Sequence, residues 1–213
     1  NIKSSLLSGC ETTMGRRNRK QLLTDRVRNA MVGNGYSEAL TFSFISPVVF
    51  DRLRFAADDS RRDAVKILNP LGEDFSIMRT TMLPSILEIL QRNHAHRVPE
   101  VSSFEISYIY IKESPDPDIL PEHREILSLG KYGSGDFYDF KGDIEGLLQS
   151  LKITNYEVEP LTDHPSLHPG RSARLIIGGK DAGYFGQIHP EIAVEWECPE
   201  NAFVAELLFE SIV

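Results

Sequence analysis

Six histidines are the first residues to weigh for chemistry, because imidazole nitrogen is a common zinc donor. His94 and His96 lie two apart, so on a helix they point in different directions, whereas helical zinc pairs are spaced i, i+4. His164 and His168 have that spacing, but Pro165 and Pro169 oppose a helix there. No cysteine or carboxylate stands at ligand spacing from either pair, so no metal site is expected. Cys10 and Cys198 are the two cysteines; far apart and outside any C-x-x-C, they form neither a disulfide framework nor a zinc knuckle. A phosphate cradle is missing too: Gly178-Gly179 sits between two strand patterns, and no G-x-G-x-x-G or G-x-x-x-x-G-K occurs. Ser102, Ser103, Ser166 and Ser172 lack the G-x-S-x-G context of an activated nucleophile. Two charged stretches remain. Arg16-Arg17-Asn18-Arg19-Lys20 reads first as a solvated helix entrance, and second as a local contact for nucleic acid through Arg16, Arg17, Arg19 and Lys20. Asp136 to Glu145 is dense in acids and aromatics and suits the start of an amphipathic helix, where carboxylates meet the positive end of the helix dipole.

The elements that must carry these residues belong to an ordinary globular chain. Its 213 residues are 41% hydrophobic and 25% charged, which excludes disorder, collagen-like repeats and coiled coil. Lys plus Arg number 23 against 31 for Asp plus Glu, a formal charge of −8. A chain this acidic is a poor stand-alone binder of nucleic acid, because neutralising phosphates needs a basic surface. No apolar run approaches the ~20 residues of a membrane span, and no signal-peptide pattern opens the chain. A soluble, cytoplasmic protein with no membrane partner is expected. The opening Asn1 and the core-like Leu207-Leu208-Phe209 near the end suggest a piece of something longer.

A polar leader over 1–18 and one domain over 19–213 are expected. Leu23, Val27, Ala30 and Met31 lie on one face of a helix over 19–32, with Gly33 and Gly35 as candidate C-caps. Leu40, Phe42 and Phe44 alternate with Thr41, Ser43 and Ile45 as in a half-buried strand. Ser46-Pro47 should open a short helix through Phe55, followed by a charged loop over 56–63 and a short strand over 65–68 closed by Asn69-Pro70-Leu71-Gly72. Pro84 can start a helix with Ile86, Leu87 and Leu90 inward, and 101–112 is the longest strand, with Phe104, Ile106, Tyr108 and Tyr110 on one face. Residues 113–125 read as a surface connection, 126–131 as a strand and 138–151 as a helix. Strands over 174–177 and 184–188 flank a Gly178-Gly179-Lys180-Asp181 hairpin; a short helix over 190–196 and a strand over 202–209 follow. Strands outnumber helices and most joins are too short for parallel crossovers, so the class is α+β, a mainly antiparallel sheet flanked by helices.

Four stretches together resemble a known family, the β subunit of bacterial phenylalanyl-tRNA synthetase. They are Arg28-Asn29-Ala30 through Thr41-Phe42-Ser43-Phe44; Asn69-Pro70-Leu71 with Met78-Arg79-Thr80-Thr81-Met82-Leu83-Pro84; Phe137-Tyr138-Asp139-Phe140-Lys141-Gly142-Asp143-Ile144-Glu145; and Leu167-His168-Pro169-Gly170-Arg171-Ser172-Ala173. Gly186-Gln187-Ile188-His189-Pro190 and Phe203-Val204-Ala205-Glu206-Leu207 extend the likeness. The resemblance implies the class II aminoacyl-tRNA synthetase fold. The helix over 19–32 is similar to its first motif, the interface element, so Leu22, Leu23, Val27, Ala30, Met31 and Val32 are candidate subunit-interface residues. Asp139-Phe140-Lys141-Gly142 also resembles the family's α subunit, as if the two subunits were diverged copies of one fold.

The resemblance does not extend to the chemistry. Adenylate formation needs cations against a triphosphate, which class II enzymes supply as arginines in their second and third motifs. Here Phe104-Glu105 is followed by Ile106-Ser107-Tyr108, and Val204 to Glu210 stands in place of a Gly-x-Gly-x-x-Arg pattern. Beyond Arg174 no arginine occurs, and Lys180 is the one cation. A catalytically silent synthetase fold is therefore expected, with no catalytic, cofactor-binding or metal residues of its own. ATP and magnesium are left to the holoenzyme, whose implied partners are the catalytic α subunit, a second β subunit and tRNA. An autonomous ligase or deacylase, and a nucleic-acid-binding module, are the competing readings.

Overall fold

The computed structural model describes residues 14–116 and 119–212, with residues 3, 5 and 9 ahead of them. Most of the leader over 1–18, and Cys10 with it, lies outside the described residues. A capping box sets the first element. The Asn18 side chain accepts from the Gln21 N–H, and the Gln21 side chain accepts from the Asn18 N–H, opening α1 (Arg19–Gly33). Gly33 ends the helix, Asn34 caps it, and Gly35 takes the left-handed conformation with φ +85°, so only the second candidate glycine serves as a stop.

The next elements in chain order are β1 (Ser37–Glu38), β2 (Phe44–Ile45), α2 (Val49–Arg52), β3 (Ile77–Met78) and α3 (Leu83–Ala95). Then come β4 (Val101–Ile111), β5 (Glu122–Tyr132), α4 (Phe137–Ser150), β6 (Tyr156–Pro160), β7 (Leu167–Ile177), β8 (Lys180–Ile188), α5 (Pro190–Glu195), β9 (Phe203–Leu208) and α6 (Phe209–Ile212). Seven strands form one sheet in the order β1-β4-β5-β9-β8-β7-β6, antiparallel throughout except for the β1–β4 pair, while β2 and β3 make a separate ribbon. The expected α+β class with a mainly antiparallel sheet is the observed one.

Both faces of the sheet are covered. On one side Val27 and Met31 of α1 and Phe140, Ile144 and Leu147 of α4 pack with Leu127, Leu129, Phe185, Ala205 and Leu207. On the other, Ile86, Leu87 and Leu90 of α3, inward as their spacing predicts, join Val204, Ile188 and Trp196. Alternating residues of β9 thus serve two cores, which explains its unbroken apolar run around a single acid. Gly178 and Gly179, with φ of +58° and +76°, make the two-residue turn between β7 and β8 that their pairing suggests.

Several boundaries differ from the sequence expectation. The strand expected over 40–45 is reduced to Phe44–Ile45, because Thr41 and Ser43 turn inward to polar partners and Leu40 and Phe42 face out. The helix expected through Phe55 ends at Arg52, with Ser46 and Pro47 in the preceding turn. The strand over 65–68 is a single bridge between Lys66 and Ile77. β5 begins at Glu122, inside the expected loop, because β4 supplies an eleven-residue partner for it. Likewise β7 begins at Leu167, with a register irregularity between Leu167 and Ser172, and β6 was not anticipated. No helix among the described residues is long and apolar enough to cross a membrane.

Candidate functional site

On the α3 side of the sheet, polar side chains line up where apolar ones would be expected. Register places Glu105 of β4 beside Ser128 of β5, Ser128 beside Glu206 of β9, Glu206 beside Tyr184 of β8, and Tyr184 beside Arg174 of β7. Glu105 is 1% exposed, Ser128 0% and Glu206 9%. Buried carboxylates need partners, because an unpaired charge in low dielectric is very costly. The segment Arg79 to Leu83, which enters α3, provides those partners.

Arg79 is 0% exposed. Its Nη2 donates to Glu105 Oε1 at 3.3 Å, Nε to the Tyr108 carbonyl at 2.9 Å, and Nη1 to Thr41 Oγ1 at 2.8 Å and Ser85 Oγ at 3.1 Å. Thr41 closes the network by donating its hydroxyl to Glu105 Oε2 at 2.7 Å and its N–H to Oε1 at 3.2 Å. Burial lowers the guanidinium pKa from its ordinary value, and Glu105 opposes that shift. The outcome is a charge pair with its hydrogen-bonding capacity spent inside the protein.

Glu206 does for α3 what its own N-cap residue, Met82, does not. Glu206 Oε1 accepts from Thr81 Oγ1 at 2.7 Å, from the Leu83 N–H at 2.9 Å and from the Met82 N–H, and Oε2 accepts from the Tyr184 hydroxyl at 2.6 Å. A carboxylate on a distant strand thereby caps the helix and meets the positive end of its dipole. Burial and Glu206 together push the Tyr184 phenol well above its usual range. Ser128 Oγ, between the two carboxylates, is one of the few buried polar atoms without a hydrogen-bond partner among the described residues.

Beyond Tyr184 the row reaches a small cleft of about 230 Å³ lined by Arg61, His164, Arg174 and Asp181 among others. The His164 ring lies 4.5 Å from that of Tyr184, and its Nε2 is 3.3 Å from Arg61 Nη1. Burial, aided by Arg61, lowers its pKa to about 4. The unfolded chain therefore binds a proton near pH 6.5 that the folded chain refuses until about pH 4, and stability falls as pH drops through that window. Allowing for the partial exposure of the ring, a loss of about 1–2 kcal/mol between pH 7 and pH 4.5 is expected. Urea unfolding at the two values, with His164→Gln as control, checks it; an equally steep loss in the variant would assign the effect elsewhere.

These residues lie partly outside the sequence expectations. In sequence, Glu105 and Glu206 stand as positions lacking arginine, and Arg79 and Glu206 fall within stretches that carry the family likeness, but none of them, nor Tyr184 or Ser128, is given a role there. The available signal was a lone acid inside an apolar strand, as in Phe104-Glu105-Ile106 and Ala205-Glu206-Leu207, which implies a buried, partnered charge. The expected interface residues are divided: Val27 and Met31 are fully buried, Leu23 and Ala30 half-buried, and Leu22 and Val32 are 51% and 59% exposed. Arg16, Arg17, Arg19 and Lys20 are all exposed at the start of α1, but Arg17 pairs with Asp25, and Lys20 Nζ meets Glu125 Oε2 at 2.6 Å. Burial pushes the Cys198 thiol up to about 12, so it is no nucleophile. Among the described residues no three His, Cys, Asp or Glu side chains cluster as metal ligands.

The model of the phenylalanyl-tRNA synthetase β-chain CLM domain matches residues 2–209. The chain belongs to that family. Phenylalanine–tRNA ligase β subunits resemble it along most of its length: the one from Clostridium tetani is 37% identical over 97% of this chain, and that from Symbiobacterium thermophilum 34% over 93%. The chain spans only about a quarter of those relatives, 26% and 23% of their lengths. Among solved structures, pyrrolysyl-tRNA synthetase from Desulfitobacterium hafniense superposes with a TM-score of 0.73 at 16% identity, over 92% of this chain and 68% of that one. The fold is thus that of the class II synthetases. In this chain the polar row described above occupies the sheet face that Arg79 to Leu83 closes over.

Proposed function

We propose that this chain is the non-catalytic, class II synthetase-like core of a phenylalanine–tRNA ligase β subunit, holding catalytic α subunits in the enzyme that attaches phenylalanine to its tRNA using ATP. The observation that carries the reading is the state of the polar row. Arg79 is consumed by Glu105, and the N-terminal amides of α3 are consumed by Glu206. A triphosphate needs free cations and amides, and here the chain's own carboxylates occupy both. ATP and magnesium therefore do not fit these residues, and the reading assigns them to the α subunits. The partners in this reading are two α subunits and a second β subunit, with tRNA bound by the assembly in the cytoplasm.

The half-exposed face of α1 supports the assembly role, since Leu22 and Val32 add apolar surface beyond what α4 covers. The competing tRNA contact through Arg16, Arg17, Arg19 and Lys20 has less support, because two of the four cations are already paired and the net charge is −8.

Two outcomes test the proposal. The purified chain should give no ATP–pyrophosphate exchange with phenylalanine or any other amino acid; exchange above buffer that survives a second purification would end the non-catalytic reading. Leu22→Glu combined with Val32→Glu should weaken α-subunit association at least about tenfold while leaving the unfolding midpoint unchanged. Titration by light scattering reads the first quantity and urea unfolding the second. Unchanged association would remove α1 from the interface.

A further inference from the structure

The end of α1 carries reactive chemistry as well as a stop signal. Asn34 is the one asparagine of the chain that precedes a glycine, and both residues are exposed. Asparagine is among the thermolabile residues. In this dipeptide the Gly35 backbone nitrogen can attack the side-chain carbonyl carbon of Asn34, because glycine has no Cβ to block the approach. A new nitrogen–Cγ bond forms, the Cγ–Nδ2 bond breaks, and the side-chain nitrogen leaves as ammonia with the proton of the Gly35 amide. Water then opens the resulting succinimide at either carbonyl, giving aspartate or isoaspartate. Water is the sole co-reactant, and nothing is oxidised or reduced.

The fold holds this reaction in check. Asn34 has ψ of 6°, which turns the Gly35 nitrogen toward the backbone nitrogen of Asn34 and away from its side chain, so ring closure requires rotation about the Cα–C bond. The Gly35 N–H donates to the Val32 carbonyl at 3.0 Å, and the Asn34 N–H to the Ala30 and Met31 carbonyls at 3.0 and 3.1 Å. Asn34 Nδ2 reaches across to α4, where it lies near Gly146 and donates to the Asp143 carbonyl at 3.4 Å. The next residue anchors the turn. Tyr36 is 3% exposed; its N–H donates to the Met31 carbonyl at 3.0 Å and its hydroxyl to Asp143 Oδ2 at 2.7 Å. Attack therefore waits for the last turn of α1 to open, and local opening of a helix end costs less than global unfolding.

Conversion then makes re-closure harder. A carboxylate at position 34 has no N–H to give the Asp143 carbonyl, and it adds negative charge at the end of α1 where the free carbonyls already carry a partial one. Isoaspartate also brings the former Cβ into the main chain, which shifts Gly35 and Tyr36 out of register with the Val32 and Met31 carbonyls.

We infer that Asn34 is a self-modification site gated by the C-cap of α1: it deamidates from the opened cap, and its product loosens the contact between α1 and α4 that the cap maintains. The inference stands apart from the scaffold reading above and uses none of its partners.

The test uses the full-length β subunit, aged in mildly alkaline buffer with and without urea and read by peptide mass spectrometry. Position 34 should turn to aspartate and isoaspartate at least about tenfold faster in urea than in the folded protein. Asn29, in the same helix but followed by Ala30, should convert far more slowly than Asn34 in urea. Tyr36→Phe removes the hydroxyl anchor and should raise the folded-state rate at least about threefold while leaving the rate in urea unchanged. Asn34→Asp, one of the two products made in advance, should lower hydrogen-exchange protection at the Gly35 and Tyr36 amides, and Asn34→Gln, which keeps the charge at zero, should lower it less. Equal rates in buffer and urea overturn the gate, as does a folded-state rate indifferent to Tyr36→Phe. Conversion at Asn34 no faster than at Asn29 in urea overturns the site. Native protection of both amides in Asn34→Asp and in the aged protein overturns the loosening.

Discussion

Replacing Arg79 by Met is expected to destabilise the protein by about 3–5 kcal/mol, the cost typical of removing one partner from a buried ion pair. The variant leaves Glu105, 1% exposed, without its cation, and leaves the Tyr108 carbonyl and the Thr41 and Ser85 hydroxyls without the donor that joined them. Since domains are stable by only about 5–15 kcal/mol, one side chain accounts for a large share of the margin. The double variant Arg79→Met with Glu105→Met should recover much of the loss, because a methionine pair has no charge to desolvate. Urea unfolding of the two single variants and the double gives the coupling. A single-variant cost below about 1 kcal/mol, or a double-variant cost equal to the sum of the singles, would show that the pair is not the strut the geometry implies. Proteolysis adds a second readout: segment 39–44 loses its anchors with Arg79, so cleavage after Leu40 or Phe42 should accelerate in the variant.

Glu206→Ala should cost about 2–4 kcal/mol by a different route, the stranding of buried donors rather than of a charge. Three groups lose their acceptor, the Thr81 and Tyr184 hydroxyls and the Met82 amide, and the Leu83 amide is left with Thr81 Oγ1 at 3.2 Å alone. Glu206→Gln is the informative companion. It keeps the shape and one acceptor oxygen for the donors on Oε1, but its NH₂ obliges the Tyr184 hydroxyl to turn from donor to acceptor and the negative charge at the helix start is lost, so it should cost less than alanine, about 1–2 kcal/mol. Hydrogen exchange localises the effect: the first-turn amides of α3 should lose protection while those of α4, capped by its own Asp136, keep theirs. A glutamine variant within about 0.5 kcal/mol of the native protein would mean that the helix needs no carboxylate at its start.

The contrast between α4 and α3 separates what the residues announce locally from what only the assembled fold decides. The start of α4 is written in its own sequence, where Asp136 accepts from the Tyr138 and Asp139 amides and Asp139 reaches back to the Asp136 N–H. Pro84 at the start of α3 and Gly178-Gly179 between β7 and β8 act over a similarly short range, so both elements were expected where they occur. The antiparallel class followed from the same local signals, because turn residues and period-two alternation need no knowledge of distant partners. The family resemblance was likewise carried by short stretches, and the match over residues 2–209 bears it out.

Tertiary structure decided which way segment 40–44 faces. Its alternation identified an extended chain, but alternation is symmetrical: it sorts residues into two sides without saying which side is buried. Arg79 settled that, 38 residues from Thr41, by rewarding the hydroxyl and carbonyl side. The partners of the two buried acids are equally remote, 26 residues from Glu105 to Arg79 and 125 from Glu206 to Thr81. A lone acid in an apolar strand signals that a partner exists; only the fold brings that partner within hydrogen-bonding distance, since the energy belongs to the contact and not to either residue. The early start of β5 has the same origin. Residues 122–125 are polar and carry no strand periodicity, but β4 offers them an unpaired edge, and backbone hydrogen bonding at that edge outweighs their weak propensity.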